Sequence, residues 1–180
     1  RLKEACFFVG GIDEPLDAAK KTHRRTIGQL QSLLGAIDAI VSDIHANLEA
    51  LEASLADIRT QGVSEILCLG DVIGYGPEPR ECLRKVMELC RLTLLGNHEH
   101  GAMYYATDFN PKARAAIDWT RDELNRPDAR EQNLGFWDFL GSLVPAMCDG
   151  VAMFAHGSPR DPLREYMLPR DVRNPEKMKA

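Results

Sequence analysis

The stretch Ala36-Ile37-Asp38-Ala39-Ile40-Val41-Ser42-Asp43-Ile44-His45-Ala46-Asn47-Leu48 decides the fold. Residues 36–41 are short, apolar and rich in β-branched side chains, the pattern of a buried strand. A polar knot follows over 42–47. Leu48, Leu51, Leu55 and Ile58 then recur at helical spacing until Gly62 supplies a stop. The same unit repeats downstream. Residues 66–69 read as a second strand ending at Gly70-Asp71, and a loop containing Gly74, Gly76, Pro77 and Pro79 leads into a helix with Cys82, Val86 and Leu89 on one face. Residues 92–95 read as a third strand, ending at Gly96-Asn97-His98. Strand, polar tip and helix in repetition predict an α/β fold with a largely parallel sheet. Ligands bind such sheets beyond the carboxyl ends of the strands. The polar tips, distant along the chain, are therefore expected to meet in space.

Residues 101–150 are helical by pattern. Asn110-Pro111 is a cap followed by a first-turn proline. Ala115, Ile117, Trp119 and Leu124 supply apolar positions, and a second helix is expected over 131–143, its aromatics Phe136, Trp137 and Phe139 read as core. Residues 151–155 form a fourth expected strand, with His156-Gly157-Ser158-Pro159 at its tip. Ahead of these elements lies an extension over 1–35, expected to hold an amphipathic helix across 16–34. Its apolar edge is Ile27, Leu30 and Leu34; the cluster Lys20, Lys21, His23, Arg24, Arg25 reads as a solvated surface. The expected organisation is thus an extension at 1–35 and one domain at 36–180 with a helical insert at 101–150.

Bulk properties narrow the function. The 180 residues are 44% hydrophobic and 27% charged, as in soluble globular proteins. A net charge of −5 disfavours broad binding to nucleic acid or anionic membrane, but not a small phosphate ester, which is the expected partner. No run approaches the roughly 18 apolar residues that span a bilayer, and the apolar patch at 5–9 is too short for a signal-peptide core. A cytoplasmic location is expected. The cysteines at 6, 68, 82, 90 and 148 contain no C-x-x-C pair and read as reduced thiols.

Four strand ends thus bear Asp43-x-His45, Gly70-Asp71, Gly96-Asn97-His98-Glu99 and His156-Gly157. Carboxylates and neutral imidazoles suit divalent ions such as Mn, Fe, Zn or Ni. One shared carboxylate can hold two ions about 3.5–4 Å apart, the separation that phosphoryl-transfer sites use. The glycines ahead of Asp71 and Asn97 permit tight turns and close approach.

The string D-x-H, 24 residues, G-D, 24 residues, G-N-H-E resembles the signature of the calcineurin-like metallophosphoesterases. Its eight specified residues have a chance of about 10⁻¹⁰ per placement at average residue usage. The text of residues 42–51, 70–77 and 156–162 resembles a bacterial, phosphodiesterase-like branch of that family, and the resemblance runs over about residues 36 to 170. It implies a layered β-sheet core flanked by helices, incomplete at the C-terminus, and a two-metal hydrolase of phosphate monoesters or diesters, with diesters favoured. It further implies that Asp43 and His45 hold one ion, that Asp71 bridges, and that Asn97 and His156 hold the second. His98 resembles the family's non-ligand histidine, which contacts the phosphate and protonates the departing oxygen. An imidazole tuned near neutrality suits that task.

One family motif is missing. No G-H-x-H occurs and no histidine follows His156, so a chain cut ahead of that motif is expected, in line with its start at Arg1. A catalytically silent phosphoesterase-fold scaffold is the alternative. A dinucleotide-binding sheet is disfavoured, because Gly74 and Gly76 lie in a proline-rich loop and not at a helix start. Several residues keep two readings. Glu99 either orients His98 or is a surface carboxylate. Tyr75, Tyr104 and Tyr105 either line the substrate entrance or pack on their own loops. Arg160 either reaches a phosphate or pairs with Asp161, and His100 is expected to face solvent.

Overall fold

The computed structural model describes residues 38–63, 65–148, 150 and 152–178. The helix expected within 1–35 lies outside these residues, as do Ala36 and Ile37 of the first expected strand.

Strand β1 (Asp38–Val41) leads into helix α1 (Leu48–Thr60), and β2 (Glu65–Cys68) into α2 (Pro79–Leu89). Strand β3 (Leu92–Thr93) leads into α3 (Asn97–Met103), followed by α4 (Pro111–Leu124) and α5 (Arg130–Ser142). The three strands form a parallel sheet in the order β1-β2-β3, with Val41 opposite Cys68 on one side and Cys68 opposite Thr93 on the other. The central strand is the most deeply placed, and Leu67 and Cys68 are buried. This is the α/β repeat expected from the strand–tip–helix rhythm.

Helix starts follow local chemistry. The Asn47 side chain accepts a hydrogen bond from the Ala50 amide at 3.0 Å and caps α1. Asn110 caps α4 by accepting from Lys112 and Ala113, both at 3.0 Å, just ahead of Pro111. The core gathers Leu51 and Leu55 of α1, Cys82, Leu83 and Val86 of α2, Ile117 and Leu124 of α4, and Phe136 and Leu140 of α5. One charged group is buried among them. Arg80 donates to the Glu123 carbonyl (2.8 Å), Asn133 Oδ1 (2.7 Å) and Gln132 Oε1 (2.5 Å), and its guanidinium lies 5.1 Å from the Phe136 ring centroid. It ties α2 to the C-terminal part of α4 and to α5. Buried donors need such partners.

The structure departs from expectation in three places. The third strand stops at Thr93 because the Leu95 amide turns to the Val144 carbonyl (2.9 Å), while Leu94 makes a parallel bridge to the same residue. The fourth strand is β5 (Met153–Ala155), and it pairs antiparallel with an unforeseen strand, β4 (Ala146–Cys148), in a separate two-stranded sheet. Gly150, at φ +89°, lies in the connection between them. Finally, Trp137 is half-buried and donates to Asn125 Oδ1 at 3.0 Å. Among the described residues no helix is long and apolar enough to cross a membrane. Cys68, Cys82, Cys90 and Cys148 are free thiols. Burial pushes the Cys82 thiol up to about 12 and the Cys90 thiol up to about 11, which keeps both inert.

Gly70 is where β2 hands over to its tip. It sits at φ +100°, and a Cβ there would lie 2.6 Å from the Gly96 amide nitrogen. Gly70→Ala combines backbone strain with a clash against main chain and should lower the unfolding free energy by about 2–4 kcal/mol. Urea denaturation measures this directly; a change below about 0.5 kcal/mol would show that the two tips can separate freely.

Candidate metal centre

Parallel pairing does not stop where the strands do. The Leu69 amide donates to the Val41 carbonyl (2.9 Å), Asp43 to Gly70 (3.1 Å), His45 to Asp71 (2.9 Å) and Ala46 to Val72 (2.8 Å). The first two polar tips are thereby zipped side by side. Among the described residues, positive φ at non-glycine positions occurs at Asp43 (55°), His45 (48°), Ala46 (54°), Asp71 (54°) and Tyr75 (63°). All lie in these two tips. Each such residue costs on the order of 1–3 kcal/mol and persists only where its surroundings force it.

Glu99 is what forces it. This carboxylate is fully buried (0% exposed) and accepts hydrogen bonds from three main-chain amides: Asp71 (2.8 Å), Ile73 (3.1 Å) and Gly96 (3.0 Å). It is neither a surface group nor the orienter of His98. It clamps the second tip to the third. Asp71 completes the junction by accepting the His98 amide on Oδ1 at 2.9 Å, and a Cβ on Gly96 would collide with that oxygen. Sequence reasoning underrated Glu99. The usable signal was its place at the third position of a helix that starts from glycine, where a carboxylate can reach back to free amides.

Around this frame the expected ligands gather. Asp71 Oδ2 lies 3.8 Å from His45 Nε2 and 3.5 Å from His156 Nε2. His45 Nε2 is also 3.8 Å from Asp43 Oδ1, and His156 Nε2 is 2.9 Å from Asn97 Oδ1. The four tips do meet, with His156 delivered by the hairpin. Each of these two imidazoles turns Nδ1 to a main-chain carbonyl, His45 to Ile73 (3.3 Å) and His156 to Leu69 (3.0 Å). A carbonyl can only accept, so in each neutral ring Nδ1 carries the proton and Nε2 presents a lone pair. Those lone pairs face the carboxylate and amide oxygens of Asp43, Asp71 and Asn97. No proton is available to join them, and a cation fits the arrangement.

Electrostatics agree with that fit. Burial, the Glu99 carboxylate and Asp43 all raise the Asp71 pKa well above the ordinary range, and only the His98 amide opposes them. Crowded, desolvated carboxylates of this kind are relieved by bound positive charge.

His98 differs from the other two histidines. It is buried, and its Nδ1 has no hydrogen-bond partner and lies against Gly74, where a Cβ would strike it. Its ring packs edge-on to His45 (4.6 Å) and Phe109 (5.1 Å) and tilts against Tyr75 (4.7 Å). Burial first, then the neighbouring His45 and His156, lower its pKa to about 3, far from the neutral tuning expected. Ligand-capable atoms of His45, Asp71 and His98 lie within 4.8 Å of one another, so His98 borders the same space.

Other candidates fall away from the centre. Arg160 pairs with Glu165 instead of Asp161, and Ser158 also binds Glu165. Asp161 instead accepts from the Arg164 amide at 3.0 Å and shapes the turn. His100 is half-buried, not solvent-facing, with its ring 4.9 Å from that of Tyr104. Tyr104 and Tyr105 are exposed.

The sheet's carboxyl edge presents Asp43, His45, Asp71 and Asn97, the hairpin adds His156, and this donor set suits a divalent metal. Residues 39–175 match the calcineurin-like phosphoesterase family, and the chain belongs to it. It is 38% identical over 135 residues to the uncharacterized protein MJ0912 of Methanocaldococcus jannaschii, covering 73% of this chain and 54% of that one. It is also similar to the crystal structure of a metallophosphoesterase from Sphaerobacter thermophilus. There the identity is 41% and the TM-score 0.58, over 72% of this chain and 50% of the other. The chain spans about half the length of these relatives.

Two outcomes follow for the centre. Glu99→Ala strands three buried amides, each costing about 1–3 kcal/mol, and should lower stability by at least about 3 kcal/mol in a denaturant titration. For His98, the fold holds the ring neutral, at about 3 against an ordinary 6.5. Its contribution is therefore complete above pH 6.5 and is lost as the pH falls towards 3, by up to about 1.4 kcal/mol per unit. In chelator, His98→Gln should flatten the acid limb of the stability curve; an unchanged limb would refute the assignment.

Proposed function

We propose that this chain carries the catalytic centre of a two-metal phosphoesterase that hydrolyses a phosphate ester, with diesters favoured. The observation that carries the proposal is the double approach to Asp71 Oδ2 by the Nε2 atoms of His45 and His156, at 3.8 and 3.5 Å. One carboxylate oxygen flanked by two imidazole lone pairs is the arrangement a bridging ligand needs. In this reading Asp43 and His45 hold one divalent ion, Asp71 is shared, and Asn97 and His156 hold the other. The donor set suits Mn, Fe, Zn or Ni. When bound, such ions supply charge stabilisation to the phosphoryl oxygens and a more acidic water. Family membership supports metal-dependent phosphoester chemistry, and the likeness of residues 42–51, 70–77 and 156–162 to a phosphodiesterase-like branch supports the diester.

The chain's own residues divide the remaining work. The zipped tips hold Asp43, His45 and Asp71 in one geometry before substrate arrives, and preorganisation of this kind removes reorganisation from the barrier. His98 stands beside them with its Nδ1 free of any partner. Burial keeps it neutral, so the negative charge of an arriving phosphate is what raises its proton affinity. Protonated there, it can hydrogen-bond the phosphate and return the proton to the departing alkoxide.

The test is hydrolysis of bis(p-nitrophenyl) phosphate by this chain with Mn²⁺. Asp71→Ala should abolish turnover, His98→Ala should reduce kcat by about 10²–10⁴-fold, and chelation should remove the rest. Absence of turnover, with no effect of either substitution on Mn²⁺ binding, would end the enzyme reading. Mn²⁺ binding lost in Asp71→Ala but without turnover would leave a silent scaffold.

A further inference from the structure

Of the non-glycine residues held at positive φ, Tyr75 is the large side chain that the metal centre does not use as a ligand. A bulky residue in the left-handed region is a genuine outlier. Strain of that kind concentrates where a site requires it. Gly74, immediately before it, would relieve nothing, because it is itself at φ +88° with His98 against its Cα. The loop is nonetheless rigid. The Gly76 amide donates to the carbonyls of His45 (2.9 Å) and Gly74 (2.8 Å), and a Cβ on Gly76 would lie 2.6 Å from the Ala46 carbonyl oxygen. Tyr75 is thus pressed onto the first tip from both sides along the chain.

Its ring leans on the two histidines at the heart of the site, with centroids 4.8 Å from His45 and 4.7 Å from His98. Yet the residue is 54% exposed. A tyrosine serving only its own loop would turn the ring inward; this one keeps half its surface towards solvent, beside a centre that would hold phosphate. The ring therefore stands at the rim of the centre, fixed by a strained, doubly anchored backbone.

We infer that Tyr75 is a specificity-determining residue, a fixed stacking platform for a flat aromatic group on the alcohol side of the phosphoester, such as a nucleobase. This rests on the phosphoesterase reading. The platform sits against His98, so a planar group stacked on it places the ester oxygen on the histidine's side of the phosphate. Base–aromatic stacking is tolerant of base identity because every base has a π-face; the inference concerns flat aromatic esters as a class, not one nucleotide.

Calorimetric binding of adenosine 5′-monophosphate and ribose 5-phosphate to the Mn²⁺-loaded protein tests it. These ligands share the phosphate and sugar and differ in the ring. The unmodified protein should prefer the adenosine compound by about tenfold or more. Tyr75→Phe should keep the preference. Tyr75→Gly should erase it and melt no lower than the parent, because glycine accepts the backbone conformation. Equal affinities in the parent, a preference that survives Tyr75→Gly, or a glycine variant that melts lower would each overturn the inference, the last by making the ring a packing element of its loop. Binding of neither phosphate would defeat this inference and the phosphoesterase reading together. A tenfold preference without any diesterase turnover would defeat the enzyme reading alone.

Discussion

Everything at the sheet's edge depends on one buried carboxylate. Glu99 accepts the amides of Asp71, Ile73 and Gly96 and so binds the tip of β2 to the tip of β3. Charge-assisted hydrogen bonds are the stronger kind, and three of them converge here in a fully buried setting. Without this anchor Asp71 would keep only its ties to the His45 and His98 amides to hold it at φ 54°, and its Oδ2 would lose a fixed position between two imidazoles. The sheet brings the tips near each other; Glu99 turns proximity into a fixed geometry.

The centre is an unfavourable place locally, made tolerable by what surrounds it. Several residues occupy left-handed backbone, Asp71 is desolvated beside other carboxylates, and His98 buries a polar nitrogen without a partner. Each of these works against folding. The opposing contribution comes from the core beneath, where α1, α2, α4 and α5 pack Leu51, Leu55, Val86, Ile117, Phe136 and Leu140 together. Arg80 adds a buried polar tie between helices distant in sequence. Strain concentrated at one edge above a conventional core is what a preorganised site looks like energetically.

Much of this was legible in the residues, and the reasons are specific. The β–α rhythm could be read because buried strands and amphipathic helices have distinct periods, and the convergence of tips follows from parallel topology alone. The hairpin of β4 and β5 was not readable in this way. Its residues look like another short apolar strand, and only tertiary pairing tells an antiparallel arm from a fifth layer of sheet. Glu99 was misjudged because two of its three partners are main-chain amides 28 and 26 residues away, and its helix position foretells only the third, from Gly96. The depressed His98 was missed for a related reason: burial of an imidazole is set by Gly74 and Phe109 closing over it, which spacing cannot reveal.

The hairpin has a consequence for how the centre comes together. Asp43, His45, Asp71 and Asn97 ride on the sheet's edge, locked by ladder and clamp. His156 arrives on a separate arm that begins where Val144 leaves its bridge to Leu94, and its own side-chain tie to the frame is the Leu69 carbonyl. The donor set therefore has two supports: three tips locked along the sheet's edge, and one imidazole whose position is set by the pairing of β4 with β5. Damage to the hairpin would reach the centre through His156 alone.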